Sequence, residues 1–272
     1  MKTILVPTDF SSAASTAAEY AAEMALTLHA NLLLIHIYQI QVTYNEAAVV
    51  ENPEKIQQDI EREMNALKQK LIDKTKGKLN IGTDIRLGSF FEELNNFCKK
   101  LNPFVVVMGS QGTTAADRLF FGGHTIHAMR HLMWPLITVP PGANFSSIQK
   151  IGLACDFDHV VDTMPVDEIK SLVHDFNAKL YVLNIAKKKE FDPNTIYESG
   201  LVQEMLVDLK PIYHFVTSPD LDEGIMEFSE KNDIDLLIIL PKRHSLVDKL
   251  IHKNHTKQFV LYSPIPIMAL HH

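Results

Sequence analysis

The chain has 272 residues, 46% of them hydrophobic and 22% charged, and a net charge of −7. That length favours two domains, and the composition describes a folded globular protein, which excludes a disordered or fibrous chain. The negative balance argues against a nucleic-acid-binding surface, and the one short basic run, "AKKKE" at 186–190, reads as a solvated loop.

The opening "MKTILVPTDF" holds Pro7 and Asp9 where a secretory leader needs an apolar run, and it predicts a strand at 3–7. A second apolar run predicts a strand at 32–37. Ile56, Ile60, Met64, Leu67 and Leu71 then recur at helical spacing, with Asn52-Pro53 as a start signal and Gly77 as a stop. A strand is expected at 81–86. Ser89 and Glu92 have capping-box spacing ahead of Phe91, Leu94 and Phe97, which predicts another helix. Strands at 104–108 and 136–139 follow. Short apolar strands alternating with helices predict a doubly wound parallel α/β sheet. No stretch reaches the roughly 18 apolar residues of a membrane span. Cys98 and Cys155 lack CxxC spacing and read as reduced thiols, so the cytoplasm is the expected location.

The second half repeats the first. "ILVPTDF" at 4–10 matches "IGLACDF" at 151–157, and "ANLLLIHI" at 30–37 matches "AKLYVLNI" at 178–185. Residues 105–139 align without a gap on 236–270, pairing Asp117 with Asp248, His124 with His255, Thr125 with Thr256 and Pro135 with Pro266. Three blocks in one order indicate a duplication. The Pro- and Gly-bearing "PPGANFSSIQ" at 140–149 reads as the linker, giving tandem doubly wound parallel-sheet domains at 1–144 and 148–272.

In such sheets a ligand lies beyond the carboxyl ends of the strands, where strand order reverses. Asp9 ends the first strand there, and Ile37 ends the second, with backbone available to an adenine edge. The fourth leads into Gly109-x2-Gly112-x9-Gly122-Gly123-His124-Thr125. Gly109 and Gly112 remove side chains where a turn must approach a ligand or a neighbouring backbone closely. Gly122 to Thr125 are expected at a helix N-terminus, whose free N–H groups favour an anion, with Thr125 adding a hydroxyl and His124 a donor. From spacing alone, a phosphate site and plain turn glycines both remain open. The pattern is neither a Walker A loop nor the dinucleotide G-x-G-x-x-G.

"VPTDFS", Gly109-x2-Gly112-x9-Gly122 and "WPLITVP" resemble the pattern of the universal stress protein family, and the resemblance recurs in each half. It implies a Rossmann-like, adenine-nucleotide-binding fold with a homodimer-like arrangement fused into one chain. It also implies ATP, with or without Mg²⁺, as the bound cofactor and a role in the stress response through an unknown protein partner. Asp9 and Ile37 would then hold the adenosine, Ile37 through its backbone. Gly109, Gly112 and Gly122 would line the phosphates, and Thr125 would add a hydroxyl. Gly123 stands where the family carries Ser or Thr, a loss of one hydroxyl worth about 1 kcal/mol. At the matching positions the second half has Leu240, Arg243 and Lys253, with Pro241 lacking an N–H, so no nucleotide is expected there. Its basic Lys242, Arg243 and Lys253 read as solvated charge rather than as a second anion pocket.

His252 and His255 have a spacing that could serve zinc, but no Cys or placed carboxylate completes a set, so no metal site is assigned. His36 reads as a satisfied core histidine. No GxSxG or HExxH motif occurs, and "PTDFSSAAS" has neither the Ser-Gly-Gly-x-Asp-Ser loop nor the His-x-Gly-His of nucleotide-cleaving relatives, so no catalytic residue is assigned. Two alternatives to a binding module stay open: slow ATP hydrolysis or phosphotransfer at the same site, and a signalling or interaction protein that binds no nucleotide. The closing strands "LITV" and "IMAL" could pair within one chain, giving a monomer, or with a second chain.

Overall fold

A computed structural model describes residues 1–39, 52–110, 115–157, 159–186, 193–241, 260 and 263–271, with backbone alone at 115–122 and 186. The apolar runs of the first half form β1 (Thr3–Pro7), β2 (Asn31–Tyr38), β3 (Ile81–Leu87), β4 (Val105–Gly109) and β5 (Leu136–Val139), each within one residue of its expected ends. Between β1 and β2 runs α1 (Ser12–Thr27), whose alanines 13, 14, 17, 18, 21, 22 and 25 are all buried. These small side chains let the helix lie close to the sheet. The Ser11 hydroxyl caps it, accepting from the Ala14 N–H at 3.2 Å.

The periodic stripe ahead of β3 forms α2 (Pro53–Lys74), started by the Asn52 side chain, which accepts from the Glu54 N–H at 3.0 Å. Its buried face is Ile60, Met64, Leu67 and Leu71, and the chain turns away at Gly77, which takes a left-handed φ of +69°. The next helix, α3 (Phe90–Leu101), begins where the Ser89–Glu92 spacing places it, but the Ser89 side chain makes no cap hydrogen bond. Ser89 instead lines the cavity described below. The fourth helix, α4 (Ala115–His131), starts seven residues ahead of Gly122. This corrects the expected helix start at Gly122–Thr125. "AADRLFF" has no breaker and good helix formers, so the helix extends back through it and takes both glycines into its interior.

The second half follows with β6 (Lys150–Ala154), α5 (Val160–Thr163), α6 (Val166–Phe176), β7 (Lys179–Ala186), α7 (Pro193–Met205), a 3-10 turn (Val207–Leu209), β8 (Ile212–Thr217), α8 (Leu221–Asn232), β9 (Leu236–Ile239) and β10 (Ile267–Ala269). The ten strands form one sheet in the order β3-β2-β1-β4-β5-β10-β9-β6-β7-β8. Every pairing is parallel except β5 with β10, where Thr138 faces Ile267, Ile137 faces Met268 and Leu136 faces Ala269. The closing strands thus pair within the chain, and each half has the same doubly wound order read outward from that seam.

Helices cover both faces. One core joins α1 and α2 to α6 and α7 through Ile4, Val6, Ile137, Leu153 and Met268. The other joins α3 and α4 to α8 through Leu5, Val106, Leu136, Leu237 and Ile267. Both cores run continuously through the two halves. The inner strands β5, β9 and β10 are buried at every residue, as expected when helices pack on both faces of a parallel sheet, whereas the edge strands β3 and β8 are mostly half-buried or exposed.

Candidate functional site

From β1 the chain crosses to β2 on one side, while β4 lies on the other, so strand order reverses between β1 and β4. At the carboxyl ends of these strands a cavity of about 940 Å³ opens. Its floor includes Thr8 and Asp9 after β1, Ile37 of β2 and Gly109 of β4. Its walls come from Ser89–Phe91 at the start of α3 and from Gly123, His124, Thr125 and His127 of α4. Six expected residues therefore meet in one space: Asp9, Ile37, Gly109, Gly123, His124 and Thr125. Gly122 lies within α4, where only its backbone is described, and Gly112 lies outside the described residues.

Asp9 is fixed from its own backbone: its Oδ1 accepts from the Ser11 N–H at 3.0 Å. Phe10 between them has φ +66°, and the Thr8 hydroxyl accepts from its N–H at 3.1 Å. Ile37 reaches the cavity because β1 stops at Pro7, whose partner is Ile35, so β2 extends past its neighbour. His36 stacks on Phe10 with ring centroids 4.6 Å apart and lies 6.1 Å from Tyr38 on its other side. Its Nδ1 lies 2.8 Å from the Thr8 carbonyl, which can only accept, so Nδ1 carries the proton. Burial holds this imidazole below its ordinary pKa, against opposing pulls from the Thr8 carbonyl and Asp9. His36 is thus a satisfied structural histidine, as expected.

The glycines differ in what they do. A Cβ on Gly109 would come within 2.8 Å of the Ala13 carbonyl oxygen, so this residue is small because α1 crosses β4 there. A Cβ on Gly123 would meet nothing within 4 Å. Thr125 is 2% exposed, and its hydroxyl donates to the Gly109 carbonyl at 3.0 Å. That bond ties α4 to the end of β4. The N–H groups of Gly123 to Thr125 lie inside α4, so they are not the free donors of a helix end.

His124 packs on Phe90 at 4.7 Å, and His127 packs edge-on to Phe91 at 4.3 Å. Burial holds His124 below its ordinary pKa, helped by His127 and opposed by Asp9. His127, Phe90 and Phe91 were not among the expected site residues, Phe91 being read only as part of a helix. His127 was legible as the residue three beyond His124, hence on the same helix face. The phenylalanines come from a different segment and carried no local signal.

The second half treats the same place differently. Asn184 occupies the position of His36 and its Nδ2 donates to the Cys155 carbonyl at 2.9 Å, the counterpart of the His36–Thr8 bond. Phe157 repeats the left-handed conformation of Phe10 with φ +51°. Val160, the counterpart of the cavity-lining Ala13, is fully buried, and its N–H donates at 2.8 Å to the carboxylate of Glu198 on α7. Leu240 beyond β9 is buried, 2% exposed. Arg243, Lys253, Thr256, His252 and His255 lie outside the described residues. Among the described residues no group of three metal-ligating side chains occurs, and no helix is long and apolar enough to cross a membrane.

No curated protein matches the sequence. Among solved structures, a universal stress protein from Archaeoglobus fulgidus DSM 4304 superposes with a TM-score of 0.71 at 13% identity, over 99% of this chain and 96% of that one. A putative universal stress protein from Pseudomonas aeruginosa UCBPP-PA14 gives 0.63 at 12% identity, over 99% and 93%. A universal stress protein solved in complex with cAMP is 23% identical over 52% of this chain and 98% of that one, with a TM-score of 0.38. The first two place the whole double-halved architecture among known folds, and the sequence profile of the universal stress protein family matches residues 1–140. This chain belongs to the universal stress protein family.

Proposed function

We propose that this is a cytoplasmic stress-response protein whose first domain, residues 1–144, holds ATP or a similar adenine nucleotide, with or without Mg²⁺. The second domain, residues 148–272, keeps the fold without binding nucleotide. The observation that carries the first part is the convergence of Asp9, Ile37, Gly109, Gly123, His124 and Thr125 on one cavity at the switch point of the sheet. In this reading Asp9 takes the ribose hydroxyls and the Ile37 backbone meets the base edge. The phosphates lie along the segment from Gly109 through Gly112 to Gly122 and Gly123.

The second-domain part is supported by Glu198. Its carboxylate bonds the N–H of Val160, where the first half presents Ala13 to the cavity, so an anionic ligand there would face a fixed negative charge. Leu240 and Pro241 add bulk and remove a donor. The protein acts, in this proposal, through a partner that reads the occupied first domain.

The test is to denature freshly purified protein, identify released nucleotide by mass spectrometry, and titrate ATP with Mg²⁺ calorimetrically. One nucleotide per chain is expected, lost in Gly123→Trp, which adds bulk at a lining residue whose Cβ position is open. Two nucleotides per chain would overturn the silent second domain, and none would overturn the first.

A further inference from the structure

Among the described residues that line the cavity there is no Lys or Arg, and the titratable groups are Asp9, His124 and His127. Asp9 adds negative charge, and the N–H groups of Gly123 to Thr125 lie inside α4. Burial of a polyphosphate beside a carboxylate without positive partners is strongly unfavourable. The two histidines, three residues apart on one face of α4, are the groups that can change this balance.

Their surroundings prepare them for it. Phe90 and Phe91 of α3 pack against the two rings, and both histidines line the cavity. Glu93 of α3 lies against Gly88 and near Arg86. Around His124 the charged groups are Asp9, at the end of β1, and His127. Behind His127 stands His131, stacked on it at 4.4 Å, with Arg130 on the same helix and His271, after β10, next to His131. Burial and the neighbouring imidazole therefore disfavour protonation of His124, with Asp9 opposing. A bound polyanion reverses that preference.

We propose that His124 and His127 are the phosphate-facing side chains of this cavity and that His124 takes up a proton as a nucleotide binds, so that affinity rises as pH falls. This rests on the nucleotide-binding reading and adds residues and a proton linkage to it. The sign follows from linkage. The surroundings of His124 hold it below its ordinary value, and a bound polyanion raises it. Affinity is greatest below the lower of these two values and is lost as pH rises toward the higher, by up to about tenfold per pH unit for each proton taken up. The consequence is a site that fills preferentially in an acidifying environment.

Calorimetric titration of the full chain with Mg-ATP, at about pH 6, 7 and 8 in two buffers of different ionisation enthalpy, tests this. Saturating Mg²⁺ suppresses titration of the nucleotide's own terminal phosphate, which otherwise falls near pH 6. The expected result is an affinity at least about tenfold higher at the acid end, with net proton uptake read from the buffer dependence of the heat. The double variant H124Q/H127Q should bind weakly at every pH with no proton uptake, and adenosine should bind the wild type without pH dependence. Binding of Mg-ATP with flat affinity and no buffer-dependent heat overturns the inference and leaves the nucleotide-binding reading intact. An unchanged slope in H124Q/H127Q overturns it as well. No binding at any pH overturns both. Since proton uptake is read on the wild-type protein, poor folding of the double variant does not remove the test.

Discussion

Gly109 and Gly123 carry the same residue type for different reasons, and substitution separates them. Gly109→Ala drives a methyl against the Ala13 carbonyl, backbone that cannot move without shifting the first turn of α1. A loss of about 1–3 kcal/mol is expected in denaturant unfolding, because overpacking is relieved only by backbone shifts. Gly123→Ala meets no atom within 4 Å and replaces glycine inside a helix, so unfolding should show a gain of about 0.5–1 kcal/mol. Gly123→Ser occupies the same space and returns the hydroxyl of the family pattern. ATP affinity should rise, by up to about 1 kcal/mol, in the calorimeter if the nucleotide reading holds. His36 gives a pH test at the same scale. Its folded pKa lies below the unfolded value of about 6.5, so the unfolded chain takes up the proton first. The associated stability is present above that value and is lost as pH falls through the window beneath it. His36→Asn places in the first half the residue that already does this work in the second, where Asn184 bonds the Cys155 carbonyl. Thermal melts should show a smaller loss between about pH 7.5 and 5.5 in this variant than in the wild type. An identical acid loss would show that His36 contributes nothing to it.

Glu198 acts between elements, joining α7 to the start of α5 through one buried N–H. Glu198→Ala should leave the Val160 N–H without its partner and cost about 1–3 kcal/mol, while Glu198→Gln keeps an acceptor and should cost less. Equal losses in urea unfolding would mean that packing, not the hydrogen bond, is what Glu198 provides. Elements of this chain differ in how openly the sequence declares them. The strands were legible because buried runs such as Val105–Met108 and Leu136–Val139 have no other place to go, and α2 because its apolar stripe, Asn52 cap and Gly77 stop agree. The start of α4 was not legible. The glycine pair read as a beginning, whereas the seven helix-compatible residues before it extend the helix past them. The site divides similarly. Asp9, Ile37 and Gly109 follow from strand ends and topology. The Thr125–Gly109 bond and the Phe90 and Phe91 walls depend on contacts between segments, which no local pattern encodes.

At the scale of the molecule, duplication has changed what the closing strand faces. Leu136 and Ile137 are fully buried because Ala269 and Met268 lie opposite them across the antiparallel seam, with the Thr138 hydroxyl donating to the Ile267 carbonyl at 3.3 Å. Both helix layers continue across this line, and Lys2 of the first half forms an ion pair with Asp175 of the second. Separating the halves would expose the backbone groups and apolar side chains of β5 together, an edge that pairs readily with another strand. A chain of residues 1–147 should therefore restore the seam with its own copy, β5 against β5 in the antiparallel sense, which is an isologous contact that closes on itself. Light scattering should find a dimer for that fragment and a monomer for the full chain, whose own β10 already occupies the position. Ile137→Asp in the fragment places a charge in the centre of the seam and should return it to monomer or to insoluble material. A stable, soluble monomer of the unsubstituted fragment would show that β5 is sealed by something other than β10. The continuous sheet would then be an accompaniment of the duplication and not what holds its halves together.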